Sequence, residues 1–340
     1  MAVDAHELED NAIETLRELA DLVIPLALRA ACDMRIADHL SGGPMHIDAL
    51  AEKTGAHAAS LWRLLRVLTN HGVFTEERHG LFALSPIADL LRGDHPLSLR
   101  DGYSLIGPDL LAWAHVDYSL RTGRSAFERV HGQPYYDKLA QDEGFRELFN
   151  RSVETQNHLM LRSLMAAYDW SGCGTIVDLA GGTGVLLAGL LAHYPQLRGV
   201  LFDLPHVVSS APPVLAAAGV AGRCVIESGS FFDVVPAGAD TYLLKTVLHD
   251  WPDVQAKRIL AVVVEAMRTD SRLIVIEALL PQGDAFHIGK LLDMNSLVLV
   301  AGPDRDEGDL LALLSSAGLE QIRVVQTPTL AVIEAALARS

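Results

Sequence analysis

The order of elements along this chain of 340 residues predicts two bodies of different class. One is a helical lobe closing in a winged helix over residues 1–100. The other is an α/β domain with a seven-stranded, mostly parallel sheet over residues 171–340, and a helical stretch at 101–170 links the two. Two observations carry this. Past Gly172 come seven short apolar runs rich in β-branched residues, the first four about 15 to 25 residues apart, with helical stretches among them, the pattern of a sheet covered on both faces. Upstream, residues 46–91 read helix, turn, helix and then two extended runs around a turn at His79-Gly80.

Taken in order, apolar residues from Asn11 to Leu40 return at helical spacing (Leu16, Leu19, Ala20, Val23, Ala27), and Pro25 predicts a kink or break between two helices. The winged helix is built of LAEKTG ending at Gly55, SLWRLLRVLTNHG, VFTEE and LFALS. From Ser98 to Trp170 helices are expected, with loops at Gly107-Pro108 and Gly132-Gln133-Pro134. The strand candidates are TIVDLA, GVLFDL, RCVIE, DTYLLK, RLIVIEA, QIRVVQ and TLAVIEA. Helices are expected over 184–193, 207–218, 253–267, 287–300 and 307–317. Only Thr327-Pro328 separates the last two strands, too short a gap for a crossover, so they should be antiparallel.

Composition narrows the function. Half of the residues are hydrophobic and 21% are charged, which excludes a disordered chain. Forty-three acidic against 27 basic side chains leave a net charge of −16, which repels a phosphate backbone, so nucleic acid is not an expected partner. Cys32, Cys173 and Cys224 lie far apart without a CxxC pair, and neither a disulfide framework nor a zinc site is expected. No HxxxH pair and no carboxylate cluster at metal spacing appears, so no metal is expected. The acidic opening MAVDAHELED and the lack of an 18-residue apolar run point to a cytoplasmic protein with no membrane partner.

The first strand of the α/β domain runs into Asp178-Leu179-Ala180-Gly181-Gly182-Thr183-Gly184, and a helix follows at once. A glycine turn at the carboxyl edge of a sheet lets a ligand approach the backbone. Position 187, where a dinucleotide fingerprint needs glycine, is Leu187, which disfavours a pyrophosphate. An acid on the strand with small residues at alternate positions suits S-adenosylmethionine, whose amino-acid end brings an ammonium and a sulfonium. Asp203, at the end of the second strand, suits a ribose diol, since a carboxylate can accept from both hydroxyls.

Residues 229–233, Gly-Ser-Phe-Phe-Asp, and the stretch YLLKTVLHDWPD join DLAGGTG and LFDLP in a combined motif set. Together they resemble the class I S-adenosylmethionine-dependent O-methyltransferases, of the plant caffeic-acid type and of bacterial aromatic polyketide pathways. The likeness covers the whole chain. It implies a Rossmann-like seven-stranded methyltransferase sheet and an N-terminal dimerisation lobe, hence a homodimer in which the partner's N-terminal segment reaches the active site. It also implies that Asp178, Gly181, Gly182 and Gly184 hold the methionine end of the cofactor and Asp203 the ribose. Leu204, Ser230, Phe231 and Lys245 would lie around the remainder. Two departures stand out: Ala180 replaces the family's first glycine, and Ser230 replaces the aspartate of its GDFF segment.

The resemblance makes His249 the general base, with Glu277 and Asp304 as the acids that orient it. A phenol of pKa about 10 facing an imidazole of about 6.5 leaves ~3.5 units, about 5 kcal/mol, so proton loss should accompany methyl transfer. By the same resemblance the acceptor pocket is walled by Phe149, Val153, Gln156, Thr246, Asp250, Ser296 and Val300, and the substrate is a phenolic hydroxyl of a small or fused-ring aromatic compound. Trp113, Met160 and Met294 read as lining or as core, and a Met or aromatic at helical spacing is usually core. Two other readings compete. Some relatives use the fold for hydroxylation or decarboxylation. A winged helix with a ligand-sensing domain could be a transcription factor, but residues 46–80 carry four acids and four bases, and the second helix of the motif is spent on Leu61, Trp62, Leu64, Leu65, Val67 and Leu68.

Overall fold

The computed structural model describes residues 5–280, 283–303, 305–327 and 329–338. The chain divides into two compact units, Met1–Leu105 and Ile106–Ser340.

In the first unit the helices Ala5–Leu19 and Val23–Asp33 are separated where expected, but the break falls just before Pro25. Asp21 makes it: its carboxylate accepts from the Val23 and Ile24 amides at 3.2 and 2.7 Å. Pro25 then sits in the first turn, where its missing N–H has no helical partner to lose. Helix Ile47–Thr54 stops on Gly55 in the left-handed region (φ 69°), and helix Ala58–Thr69 buries Leu61, Leu65 and Leu68 against Leu50, Phe74 and Phe82. The wing has three strands, β1 (Met45–His46), β2 (Phe74–Arg78) and β3 (Leu81–Leu84), antiparallel in the order β1-β3-β2. β1 escapes sequence reading because two residues ahead of a helix show no alternation.

The second unit opens with short helices. Gly132–Pro134 does separate Ala126–His131 from Tyr135–Gln141. Gly107-Pro108, expected as a loop, instead begins the helix Gly107–Trp113, because a proline in the first turn is pre-set for helical φ. Helix Glu143–Ala167, capped by Asp142 on the Phe145 amide at 3.0 Å, leads to the sheet.

The sheet comprises β4 (Thr175–Leu179), β5 (Arg198–Asp203), β6 (Cys224–Ser228), β7 (Thr241–Lys245), β8 (Arg272–Glu277), β9 (Leu319–Gln326) and β10 (Ala331–Leu337). Their order is β6-β5-β4-β7-β8-β10-β9. The first five run parallel, and β10 lies antiparallel between β8 and β9, as expected of a short connection, here the four residues 327–330. The helix expected over 207–218 is two, Pro205–Val208 and Ala211–Ala217. Pro212 and Pro213 lack the N–H groups that would continue a single helix, so a new one starts there. Strand residues alternate between two cores: Val177, Tyr242, Leu244 and Val275 face one layer of helices, and Ile176, Leu201, Leu243 and Ile274 face the other.

The chain proceeds outward from β4 to β6 and then returns to β7 on the other flank of β4. The carboxyl ends of β4 and β7 therefore border a topological switch point, where open α/β sheets bind ligands. Among the described residues no helix is long and apolar enough to cross a membrane.

Candidate active site

Asp178, next to last in β4, is buried, and its Oδ2 has no hydrogen-bond partner. Burial raises its pKa to about 7, which the charge of Lys245 offsets only in part. The turn that follows leaves room beside it. Gly182 and Gly184 are left-handed (φ 61° and 82°), and a Cβ on Gly181 would strike Leu201 and the Asp178 carboxylate, so glycine is required there by space. Ala180 is also left-handed (φ 55°), a conformation that costs an alanine about 1–2 kcal/mol.

Asp203 closes β5 across from this turn. Its Oδ2 accepts from the Gly182 amide at 2.9 Å and its Oδ1 from the Leu204 amide at 2.6 Å, leaving acceptor capacity on both oxygens. Burial holds its pKa above the ordinary carboxylate value, against the pull of those two amides. After β6, the Ser230 hydroxyl accepts from the Phe232 amide at 3.2 Å, and Phe231 packs at 4.9 Å on Phe232. Lys245 ends β7 with its Nζ 3.0 Å from the Thr246 hydroxyl. Burial lowers its pKa, opposed by Asp178, Glu277 and Asp250. A buried carboxylate with an unpaired oxygen beside a glycine-rich turn suits the cationic, amino-acid end of S-adenosylmethionine.

The catalytic candidates lie one strand over. Thr246 leaves β7 in the left-handed region (φ 51°) and a one-turn 3-10 helix, Leu248–Asp250, presents His249. Glu277, the last residue of β8 and 5% exposed, receives this turn. Its Oε1 accepts from the Val247 and Leu248 amides at 3.0 and 2.9 Å, and its Oε2 lies 2.8 Å from His249 Nδ1. Asp250 Oδ1 stands 3.2 Å from Nε2, while its Oδ2 accepts from the Tyr136 hydroxyl. Burial disfavours the charged imidazole, but the Glu277 and Asp250 carboxylates outweigh it, and the His249 pKa lies well above the ordinary value.

Phe149 and Val300 join one apolar cluster with Trp113, Met294 and Tyr135, and the Trp113 indole donates to Asn295 Oδ1 at 3.0 Å. Trp113 and Met294 are thus part of this cluster, and Met160 packs in the core below the sheet. Val153 and Gln156 follow Phe149 along the helix Glu143–Ala167, Val153 exposed and Gln156 half-buried. Ser296 turns its hydroxyl to the Gly302 carbonyl at 3.3 Å. Asp304 lies outside the described residues. Sequence reading missed Tyr136, Asn295 and Arg305. Only Arg305 had a signal, its place next to Asp304 in the sequence. Among the described residues no group of three or more His, Cys, Asp or Glu is gathered as a metal would need.

Residues 113–320 match the model of the O-methyltransferase domain and residues 17–94 that of the O-methyltransferase dimerisation domain. The phenazine O-methyltransferase PhzM of Lysobacter antibioticus is 37% identical over 91% of either chain. Aclacinomycin 10-hydroxylase RdmB of Streptomyces purpurascens is 33% identical over 89% of this chain and 83% of its own. Among solved structures, LaPhzM superposes with a TM-score of 0.92 at 35% identity, covering 96% of this chain and 99% of that one. The O-methyltransferase NcsB1 of neocarzinostatin biosynthesis, in complex with S-adenosyl-L-homocysteine and 1,4-dihydroxy-2-naphthoic acid, does so with a TM-score of 0.81 at 34% identity, over 95% of this chain and 98% of that one. The unpaired Asp178, the glycine turn at the switch point and these full-length matches converge: the chain belongs to the S-adenosylmethionine-dependent O-methyltransferases that carry an N-terminal dimerisation domain.

Proposed function

We propose that this enzyme methylates a phenolic hydroxyl of a small or fused-ring aromatic natural product, with His249 as general base and Glu277 as its orienting acid. The observation that carries this is the buried Glu277, fixed by two backbone amides and holding His249 Nδ1 at 2.8 Å, so that Nε2 is the nitrogen left to face a substrate. Asp178, the turn Gly181–Gly184 and Asp203 are the residues that would hold the cofactor, with Leu204, Ser230, Phe231 and Lys245 beside them. When bound, S-adenosylmethionine supplies an electrophilic methyl group on a sulfonium. The chain's own residues supply the proton acceptor and the alignment. Glu277 fixes the tautomer and raises the basicity of the ring, which narrows the gap to a phenol. For Nε2 to take the phenolic proton, the acceptor hydroxyl has to replace Asp250 Oδ1, and Asp250 retains Tyr136 as a partner on its other oxygen.

A screen of aromatic phenols with isotopically labelled cofactor tests this reading. Transfer of the label with gain of one methyl group is expected. Product that gains an oxygen or loses carbon dioxide would transfer the enzyme to the second reading, which the likeness to RdmB favours.

The active form is read as a cytoplasmic homodimer. Ile13, Leu16, Leu19, Leu22 and Val23 on and between the first two helices are all more than 40% exposed, apolar residues recurring at about every third position that suit burial against a second copy. Sedimentation should show a dimer, and a chain starting near Asn70 should lose both dimer and turnover. An active monomer would refute it.

A further inference from the structure

We propose that Arg305 is a positioning residue for His249, gripping the turn by its carbonyls while Glu277 holds its amides. This rests on the reading of His249 as the base. The guanidinium is 7% exposed and spans three acceptors: Nη1 donates to the Leu248 carbonyl at 2.7 Å, and Nη2 to the Trp251 carbonyl at 2.8 Å. Nε and Nη2 reach the Asp253 carboxylate at 3.2 and 2.8 Å. Leu248 and Trp251 are the two residues that bracket His249-Asp250. Glu277 takes the amides that enter this turn and Arg305 takes the carbonyls on either side, so the turn is held at both polarities of its backbone.

The loop that carries Arg305 is itself braced. Gly302 lies so close to the turn that a Cβ there would overlap the His249 carbonyl oxygen. The Ala301 amide donates to the Ser296 carbonyl at 2.8 Å and the Ser296 hydroxyl to the Gly302 carbonyl, tying the loop to helix Ile288–Leu299. A buried cation is retained only when its donors are met, and a planar fork meets three separated acceptors that one lysine ammonium cannot. The charged groups facing the His249 ring are Glu277 on β8 and Asp250 beside it, with Lys245 acting on both carboxylates from the end of β7.

The test is a titration of His249 by nuclear magnetic resonance in the full-length, histidine-labelled protein, with S-adenosylhomocysteine affinity measured in parallel. In Arg305→Ala the turn loosens from Glu277, and the imidazole midpoint should fall by roughly one pH unit or more toward the ordinary value. Affinity for S-adenosylhomocysteine should stay within about threefold, since Arg305 contacts none of the residues assigned to the cofactor. Arg305→Lys keeps the charge and loses the fork, and should fall in between. If Arg305→Ala does not fold, Arg305→Lys decides. Arg323→Ala, which strips a guanidinium from the buried Glu334 on β10, is the control and should leave the midpoint in place. A native midpoint in Arg305→Lys and in any folded Arg305→Ala overturns the proposal. Full turnover in His249→Ala would overturn the base reading instead and leave the titration result standing.

Discussion

The turns that leave β4 and β7 are neighbours in the sheet and opposite in how they dispose of their polar atoms. After β4, Asp178 keeps an unpaired buried oxygen, and the backbone swings through left-handed residues with space beside it. After β7 the named polar groups are all engaged: Glu277 accepts from two amides and faces the imidazole, Asp250 meets both His249 and Tyr136, and Arg305 closes the carbonyls. An unsatisfied buried carboxylate costs free energy that a cationic ligand can return. A fully bonded turn instead holds the His249 backbone and Nδ1 before any substrate arrives, and only the Asp250 Oδ1 contact to Nε2 has to give way. One turn is built to be completed and the other to stay as it is.

The largest effect should come from breaking the fully bonded turn after β7. His249→Ala should lower turnover by roughly 10²-fold to 10⁴-fold, the range of a positioned general base, with cofactor affinity by calorimetry nearly unchanged. Glu277→Gln keeps the shape and removes the charge that raises the ring's pKa. Its turnover should fall as well, and the double variant should be little worse than His249→Ala, since the two act as one unit. Sign follows from the same contact. The folded pKa of His249 is raised, so the ring remains protonated past its ordinary value. The native rate should therefore rise with a midpoint above ~6.5, and Glu277→Gln should move that midpoint down. A native midpoint at the ordinary value would contradict the coupling.

Next in size is the cofactor edge. Asp203→Ala removes an acceptor of the charge-assisted kind, worth about 1.5–3 kcal/mol, and should weaken S-adenosylhomocysteine about tenfold to a hundredfold in calorimetry. It also frees the Gly182 and Leu204 amides, so Asp203→Asn, which keeps the outline, separates ligand contact from turn support. Equal affinity in all three proteins would remove Asp203 from the site.

Much of this contrast is legible in the sequence for a physical reason. In a parallel sheet, function gathers within a few residues of strand ends, so locating β4, β5, β7 and β8 also locates Asp178, Asp203, His249 and Glu277. What stays illegible arrives from elsewhere in the chain. Tyr136 reaches Asp250 from a helix more than a hundred residues upstream, and Trp113 meets Asn295 across a still longer gap, contacts that no periodicity encodes. That Asp178 lacks a partner is a property of packing, not of the motif. Gly107-Pro108 misleads because the same pair can close a loop or open a helix, and tertiary burial of Ala112 decides for the helix.

Where His249 in the other turn predicts a pH dependence of turnover, Asp178 predicts one of cofactor affinity. Its folded pKa of about 7 lies above the ordinary 3.8, so the stability tied to it is full below the ordinary value and is lost as pH rises through 7. Binding a cation there requires the carboxylate, so affinity for S-adenosylhomocysteine should fall by up to about tenfold per pH unit below 7. Asp178→Asn should flatten that slope, weaken binding at pH 8 and raise the denaturation midpoint of the cofactor-free protein at the same pH. A slope that survives the substitution would assign the titration to another group.

The smallest effect isolates what each turn does with a left-handed residue. Ala180 (φ 55°) and Thr246 (φ 51°) share a backbone that glycine adopts freely, so a glycine at either removes the same kind of strain. At Ala180 the relief of about 1–2 kcal/mol is offset by a partly buried methyl and by the greater freedom of glycine in the unfolded chain. Ala180→Gly should therefore gain no more than about 1 kcal/mol in urea denaturation. At Thr246 the side chain is bonded: its hydroxyl donates to the Lys245 carbonyl at 2.7 Å and accepts from Lys245 Nζ at 3.0 Å. Removing it leaves a buried ammonium without that acceptor, and Thr246→Gly should lose about 1–2 kcal/mol despite the relieved backbone. Opposite signs at matched φ would show that strain in the first turn is tolerated for what binds there and strain in the second is held by its own bonds. Equal signs would mean that backbone conformation alone sets the balance in both.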